Sequence, residues 1–277
     1  MPKIFTFGGK MAERNITVAD LQAGKGNRQF TETTVFSLED AVTGAEAGID
    51  VLRPLDTFVK ETAAVAPKTF ISALMPFETY ETPDEILRAA VRAVAAGADA
   101  VYTPRGLGVV EMLAKEGIPV QGHLGLVPRK STWVGGLRAI GKTCDEALRL
   151  YQSFKDLENA GAYAAEVELV PPETLALINE RTSLVTYSIG CGGVGDVIFL
   201  FMDDICGELE NPPRHAKAYA DLRSLREKIK SEKTRALKEF RADVDAGTFP
   251  GPGRAARMPE REVEAFREAL ARMPAGS

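Results

Sequence analysis

The sequence predicts an α/β fold, a (β/α)8 TIM barrel followed by a C-terminal helical extension. Two observations carry this reading. Eight apolar runs of strand length alternate with helix patterns between residues 33 and 202. Three of those helix patterns close on one phrase, "AGIDV" (47–51), "AGADAV" (96–101) and "AGAYAAEV" (160–167), a helix stop that runs straight into the next strand. The phrase recurs without a fixed period, as parallel strands joined by helical crossovers require and a tandem repeat does not. A doubly wound open sheet is the alternative, and no Gly-rich dinucleotide fingerprint follows the first strand to support it.

The predicted strands are "TTVFSL" (33–38), "DVLRPL" (50–55), "TFISALM" (69–75), "ADAVYTP" (98–104), "PVQGHLG" (119–125), "YAAEVELV" (163–170), "SLVTYSIG" (183–190) and "DVIFLFM" (196–202). Between them, "TPDEILRAAVRAVAAGA" has a Thr cap, Pro at the first helical position, acids in its first turn and a terminal Gly. "GLGVVEMLAKEG", "KTCDEALRLYQSFKDLENAGA" and "PPETLALINERT" are further crossover helices. The barrel is read as residues 1–209 and the extension as 210–277, packed on the barrel or on a neighbouring subunit. In the extension, "ADLRSLREKIKSEKTRALKEFRADVDAG" is a long amphipathic helix with Leu222, Leu225, Ile229, Leu237, Phe240 and Val244 as its apolar stripe. Its Arg and Lys residues alternate with Glu, the pattern of a solvated face. "GTFPGPGRAARMP" is a linker, and "EREVEAFREALARM" a final helix.

Bulk properties narrow the function. A formal charge of -5 argues against nucleic acid as the main partner. No apolar run is long enough to span a bilayer, and the first residues lack the apolar core of a secretion signal. Cys144, Cys191 and Cys206 have no metal-binding spacing and cannot all pair, which points to a reducing, cytoplasmic compartment.

In such a barrel the reactive groups gather at the C-terminal strand ends. Those ends supply Asp56 and Thr57, Leu74 and Met75, Tyr102 to Arg105, His123, Glu168, and Gly190 with Cys191. Strand alternation puts Ala164, Glu166 and Glu168 on one face. If that face points inward, Glu168 lies at the rim and Glu166 one layer deeper. Glu168 in apolar surroundings would serve as a base, and a partner Arg would make it structural instead. His123, between two glycines where a strand turns out, is a catalytic candidate or a hydrogen-bonded structural residue. His215 is read as a surface residue at a helix start, and Cys191 as a small buried thiol. "GCGGVGD" is read as a tight strand-to-loop turn.

"ITVADLQAGKG", "AGIDVLRPLD", "MPFETY", "GIPVQGHLGLVP", "GAYAAEVELVP", "SIGCGG", "AKAYADL" and "DAGTFPG", in this order, resemble the ketopantoate hydroxymethyltransferase family, within the phosphoenolpyruvate mutase and isocitrate lyase superfamily, from about Ile16 to Pro250. The resemblance implies aldol addition of a one-carbon unit to a 2-oxo acid through an enolate, with magnesium as cofactor and methylenetetrahydrofolate as co-substrate. It implies Glu168 as the base, Asp56 as a metal ligand and substrate contact, Thr57 as a substrate contact and His123 as a pocket residue. It also implies a homo-oligomer, a pentamer or decamer. Glu166 falls where the family is apolar.

The sequence departs from the family at the metal. Leu74 stands in place of a second ligating aspartate, Tyr102 and Pro104 in place of a lysine and a glutamate, and Phe36 and Ser37 in place of a tyrosine and an aspartate. The connection from Thr57 to Lys68 is shorter than the family's and is read as lacking its helix. Arg53 and Arg105, beside the altered positions, are candidate substrate contacts that would replace the metal, and Tyr102 is a further candidate substrate contact. Arg53 is equally a structural partner for Asp56 or Glu166. Three functions follow: the family transferase, a diverged C–C lyase or aldolase acting without metal on another carbonyl acid, and a non-catalytic paralogue.

Overall fold

The computed structural model describes residues 1–273. A short antiparallel hairpin, β1 (Lys3–Phe5) and β2 (Met11–Glu13), opens the chain and has no counterpart in the sequence reading. Helix α1 (Val18–Gly24) follows, its Thr17 cap locked to Asp20 in a reciprocal capping box. The eight barrel strands are β3 (Phe30–Val35), β4 (Val51–Pro54), β5 (Phe70–Leu74), β6 (Ala100–Tyr102), β7 (Val120–Gly125), β8 (Ala164–Glu168), β9 (Val185–Ile189) and β10 (Val197–Phe199). All neighbours are parallel, and β10 pairs with β3, Val197 against Phe30, to close the ring.

Each predicted strand is present, but the first begins three residues earlier. Ser37 is the N-cap of α2 (Leu38–Glu46), its hydroxyl accepting from Asp40 N, so the chain leaves the sheet before the predicted end at Leu38. Crossover helices α4 (Pro83–Ala96), α5 (Leu107–Lys115), α6 (Cys144–Asn159) and α7 (Pro172–Asn179) stand where the sequence puts them. The connection after β4 corrects an expectation. It carries a 3-10 turn over 56–58 and a helix, α3 (Val59–Val65), which buries Val59 and Thr62.

Two layers of apolar packing hold the barrel. Outward-facing residues such as Ile71, Ala73, Val101, Ala165 and Val167 meet Ile86, Ala90, Leu113, Phe154 and Leu175 of the helices. Inside, the amino-terminal end is filled by Phe30, Val51, Phe70, Ala164 and Val185, with Ile16 and Leu21 closing it from below. The interior above that layer is polar, so the barrel is not the uniformly apolar funnel that its strand composition suggests.

Glu158, near the end of α6, ties that helix to the loop before β9. It accepts from Thr182 Oγ1 (2.6 Å), Ser183 Oγ (3.1 Å) and Lys155 Nζ (2.8 Å). Burial works against the charge, but these donors outweigh it and hold the carboxyl down at about 2. A depressed folded value gives stability that is present above the ordinary carboxylate range and lost as pH falls through it. Glu158→Gln is expected to cost on the order of 2 kcal/mol at neutral pH, after allowance for partial solvent screening, and nothing near pH 2. Urea melts at the two pH values measure this. A cost that did not change with pH would rule out the ionic account.

The chain divides into two compact units, Met1–Ala220 and the residues from Asp221 on. Residues 210–220, assigned to the extension from sequence, belong to the first unit, where Tyr219 N donates to Ile205 O (2.8 Å). In the second unit, α9 (Leu222–Asp245) carries ion pairs along its length, among them Arg235 with Glu232 and Glu239. Helix α10 (Glu260–Ala271) follows, and residues 274–277 of the predicted extension lie outside the described residues. No described helix is long and apolar enough to cross a membrane.

Candidate active site

Alternation along the strands sets the upper interior. Arg53 on β4, Tyr102 on β6, His123 on β7, Glu166 on β8 and Glu32 on β3 converge in one layer, with Glu168 one step nearer the rim. Register aligns His123 with Glu166 across β7 and β8, and Gly125 with Glu168.

Arg53 is the hub of the buried part. Its Nε and Nη2 donate to the two oxygens of Glu32 (3.0 and 2.7 Å), and its Nη1 donates to Glu166 Oε2. Its guanidinium stacks on the rings of Tyr102 (4.3 Å) and Phe199 (4.5 Å). Glu32, Arg53 and Glu166 are all within 5% of full burial. One cation thus serves two carboxylates. Burial pushes Glu32 up to about 7 against the pull of Arg53, with Glu166 adding to the rise. Burial acts on Glu166 too, but Arg53, helped by His123 and Tyr102, holds it below the usual carboxylate value.

Above this layer lies a cavity of about 630 Å³. Its apolar walls include Phe36, Leu55, Leu74, Phe77 and Phe201; Tyr102, His123, Glu166 and Glu168 are polar lining, and Arg129, paired with Glu78 (2.6 Å), also borders it. The His123 Nε2 atom lies 3.3 Å from Glu168 Oε2 and 3.7 Å from Glu166 Oε1. On its other side, His123 Nδ1 is 2.8 Å from the Tyr102 hydroxyl, which is also 3.3 Å from Glu166 Oε1. Burial, reinforced by Glu166, lifts Tyr102 well above the ordinary phenol value, so it stays a neutral donor. His123 Nε2 is buried without a hydrogen-bond partner among the described residues. His123, Glu166 and Glu168 each offer a ligand atom within 4.8 Å of the others, a set able to hold a divalent cation.

The structure therefore brings together Glu168, His123 and Tyr102 of the sequence candidates, and leaves the others apart. Arg53 lies beneath the cavity, fully engaged, with Glu166 and not Asp56 as its partner. Asp56 is half-buried in the 3-10 turn, where its carboxylate accepts from the Tyr80 hydroxyl; it is absent from the cavity lining. Burial and that bond push Tyr80 up to about 12, so the phenol keeps its proton. Thr57 is exposed. Arg105 stacks on Phe77 at 4.3 Å, and its Nη2 donates to Phe77 O (2.7 Å). Cys191 is buried, its thiol donating to Val167 O (3.1 Å) and pushed up by burial to about 11, as a structural thiol should be. His215 sits in a turn, half-buried against Gly190, and not at a helix start.

Leu169, next to Glu168, has φ of 48°. It is the one non-glycine residue in the left-handed region among the described residues, a strain of about 1 kcal/mol at the edge of the site. Glu32 and the Phe77 wall are not among the sequence candidates: Glu32 precedes the predicted first strand, which starts at residue 33, and nothing local marks Phe77 as lining.

The family described as Ketopantoate hydroxymethyltransferase matches residues 37–252. The 3-methyl-2-oxobutanoate hydroxymethyltransferase of Pyrobaculum calidifontis is 34% identical over 267 residues, 87% of this chain and 98% of that protein. The chain belongs to the ketopantoate hydroxymethyltransferase family. The enzyme of the same description from Kosmotoga olearia is 35% identical, over 82% of this chain and 92% of its own. Among solved structures, 2,3-dimethylmalate lyase, a PEP mutase/isocitrate lyase superfamily member, is 12% identical with a TM-score of 0.46, covering 94% of this chain and 99% of that one.

As a member of the hydroxymethyltransferase family, the chain raises the question of magnesium at Asp56. The residues present do not fit it. Magnesium takes several hard oxygen ligands in an octahedron. Here the Asp56 carboxylate is engaged by Tyr80, and Leu74 stands where the resemblance places a second ligating aspartate.

Proposed function

We propose that the chain forms a C–C bond beside the carbonyl of a 2-oxo acid, with 3-methyl-2-oxobutanoate as acceptor and methylenetetrahydrofolate as one-carbon donor. The observation that carries this is Glu168: a carboxylate at the C-terminal end of a barrel strand, in a largely apolar cavity whose one lining arginine, Arg129, pairs with Glu78 and not with it. Its oxygen takes the proton from the carbon next to the ketone. Water cleaves the one-carbon unit from methylenetetrahydrofolate as formaldehyde, and tetrahydrofolate leaves. The enolate carbon attacks the formaldehyde carbon, and the proton held by Glu168 goes to the new alkoxide. The developing enolate oxygen needs an electrophilic partner. Arg53 is engaged by Glu32 and Glu166, Arg105 does not line the cavity, and Arg129, which does, pairs with Glu78. Among the cavity's lining atoms, His123 Nε2 is the one buried without a hydrogen-bond partner among the described residues. A second hollow, of about 480 Å³, shares His123 with the cavity and presents Trp133, Lys130 and Arg149. An aromatic plane with three cations, of which Arg138 is paired with Glu146 in the same lining, suits an anionic, aromatic carrier. In the same reading the protein is cytoplasmic and assembles as a pentamer or decamer.

A second reading, a lyase or aldolase acting on another carbonyl acid, is favoured by Leu74, Tyr102 and Pro104 replacing charged family residues. Deuterium wash-in at C3 of 3-methyl-2-oxobutanoate, followed by NMR, tests the first. Exchange with that acid and transfer from methylenetetrahydrofolate are expected. Exchange only with a different 2-oxo acid would establish the second reading, and no exchange with any would remove both.

A further inference from the structure

We propose that His123 Nε2, Glu166 Oε1 and Glu168 Oε2 form a binding site for a divalent first-row transition ion, at a position distinct from Asp56. The distances fit. With metal–nitrogen and metal–oxygen bonds of about 2.0–2.2 Å, adjacent ligand atoms lie about 3.0 Å apart in an octahedron and about 3.4 Å in a tetrahedron. The observed separations from His123 Nε2 are 3.3 and 3.7 Å. A small closure around an ion completes the site.

Beside that spacing, His123 has a buried side chain, 5% exposed, whose Nε2 has no hydrogen-bond partner among the described residues. A buried polar atom of this kind costs about 1–3 kcal/mol unless something pairs with it. An ion supplies that partner.

The surrounding groups are those a ligating histidine requires. A metal on Nε2 leaves the proton on Nδ1, which must be donated outward. The Tyr102 oxygen, 2.8 Å from Nδ1, accepts it, and the Tyr102 hydroxyl donates in turn to Glu166 Oε1. The chain Nδ1–H to Tyr102 to Glu166 fixes both the tautomer and the carboxylate. Arg53 grips the remaining oxygen of Glu166 and keeps it charged. Glu168 binds through one oxygen and presents the other to the cavity, so its role as base is compatible with occupation. With an imidazole among three protein ligands and open positions facing the cavity, the site suits zinc, cobalt, manganese or iron(II) better than magnesium. An ion there would polarise a ligand carbonyl, which is the electrophile that the reading above requires and on which this inference otherwise does not depend.

The test uses the full chain, stripped with EDTA and titrated with Co²⁺. The visible absorption of the bound ion and calorimetry are the readouts. One Co²⁺ per chain is expected. His123→Ala should weaken binding at least a hundredfold and Tyr102→Phe about tenfold, as loss of a ligand and of its orienting partner do. Asp56→Asn should leave binding unchanged. Thermal melts confirm that each variant is folded, and Tyr102→Phe, which removes a single oxygen, serves if His123→Ala is not. Absence of Co²⁺ binding, binding that survives in both the His123 and Tyr102 variants, or binding lost in Asp56→Asn would each overturn the proposal. Tight Co²⁺ binding with no deuterium exchange would remove the catalytic reading and leave the metal site standing. Exchange without Co²⁺ binding would do the reverse.

Discussion

Glu168→Gln is expected to slow deuterium exchange at C3 of the acceptor acid by about 10³-fold, within the range of about 10²–10⁴ that a positioned base contributes. The substitution keeps shape and removes only basicity. Its side chain is 17% exposed and has no arginine partner, so the fold should be nearly untouched and the melting temperature should move little. The neighbouring substitution provides the contrast. Glu166→Gln strips a buried guanidinium of one of its counter-ions and should lower stability first, with any loss of exchange following from that. The two carboxylates lie two residues apart on one strand face, yet the same chemical change should separate rate from stability. Exchange within tenfold of wild type in folded Glu168→Gln would assign the base elsewhere. His123 would then be the nearest candidate.

That contrast also marks how far the sequence could be read. Period-two alternation was enough to place Glu166 beneath Glu168, because a strand's geometry is local. The recurring helix stops at Gly48, Gly97 and Gly161 gave the barrel for the same reason. What alternation cannot supply is the partner across the barrel. Arg53 meets Glu32 and Glu166, 21 and 113 residues away, through the closure of the ring. The choice between Asp56 and Glu166 as its partner was open until the strands were in register. Asp56 illustrates the other limit. Its strand-end position suggested a ligand, but the Tyr80 hydroxyl, 24 residues on, engages its carboxylate. Positive φ at Leu169, a residue with no tendency towards that conformation, leaves no trace in sequence at all.

Arg53→Met should be the most destabilising single substitution in the barrel. It keeps much of the side chain's volume and its contacts with Tyr102 and Phe199, so the loss is of charge. Two carboxylates within the interior would then face one another with no cation between them. Removing one partner of a buried ionic group costs about 3–5 kcal/mol, because the charge left behind is uncompensated. For a chain of this size that is a fall in melting temperature of about 10 °C or more. The pH dependence identifies the cause. Glu32, raised from the usual 4.5 to about 7, binds its proton more tightly in the folded than in the unfolded chain. A raised carboxyl gives stability at low pH that is lost as pH climbs through that window. Without Arg53 both carboxyls move upward, and the loss extends to higher pH. The gap between wild type and Arg53→Met should therefore be smaller near pH 5, where a proton replaces the missing guanidinium, than near pH 8. Arg53→Lys, which keeps the charge but not the fork that grips both oxygens of Glu32, should fall between the two. Differential scanning calorimetry across that range measures all three chains. A gap of equal size at both ends would mean that Arg53 acts by packing alone.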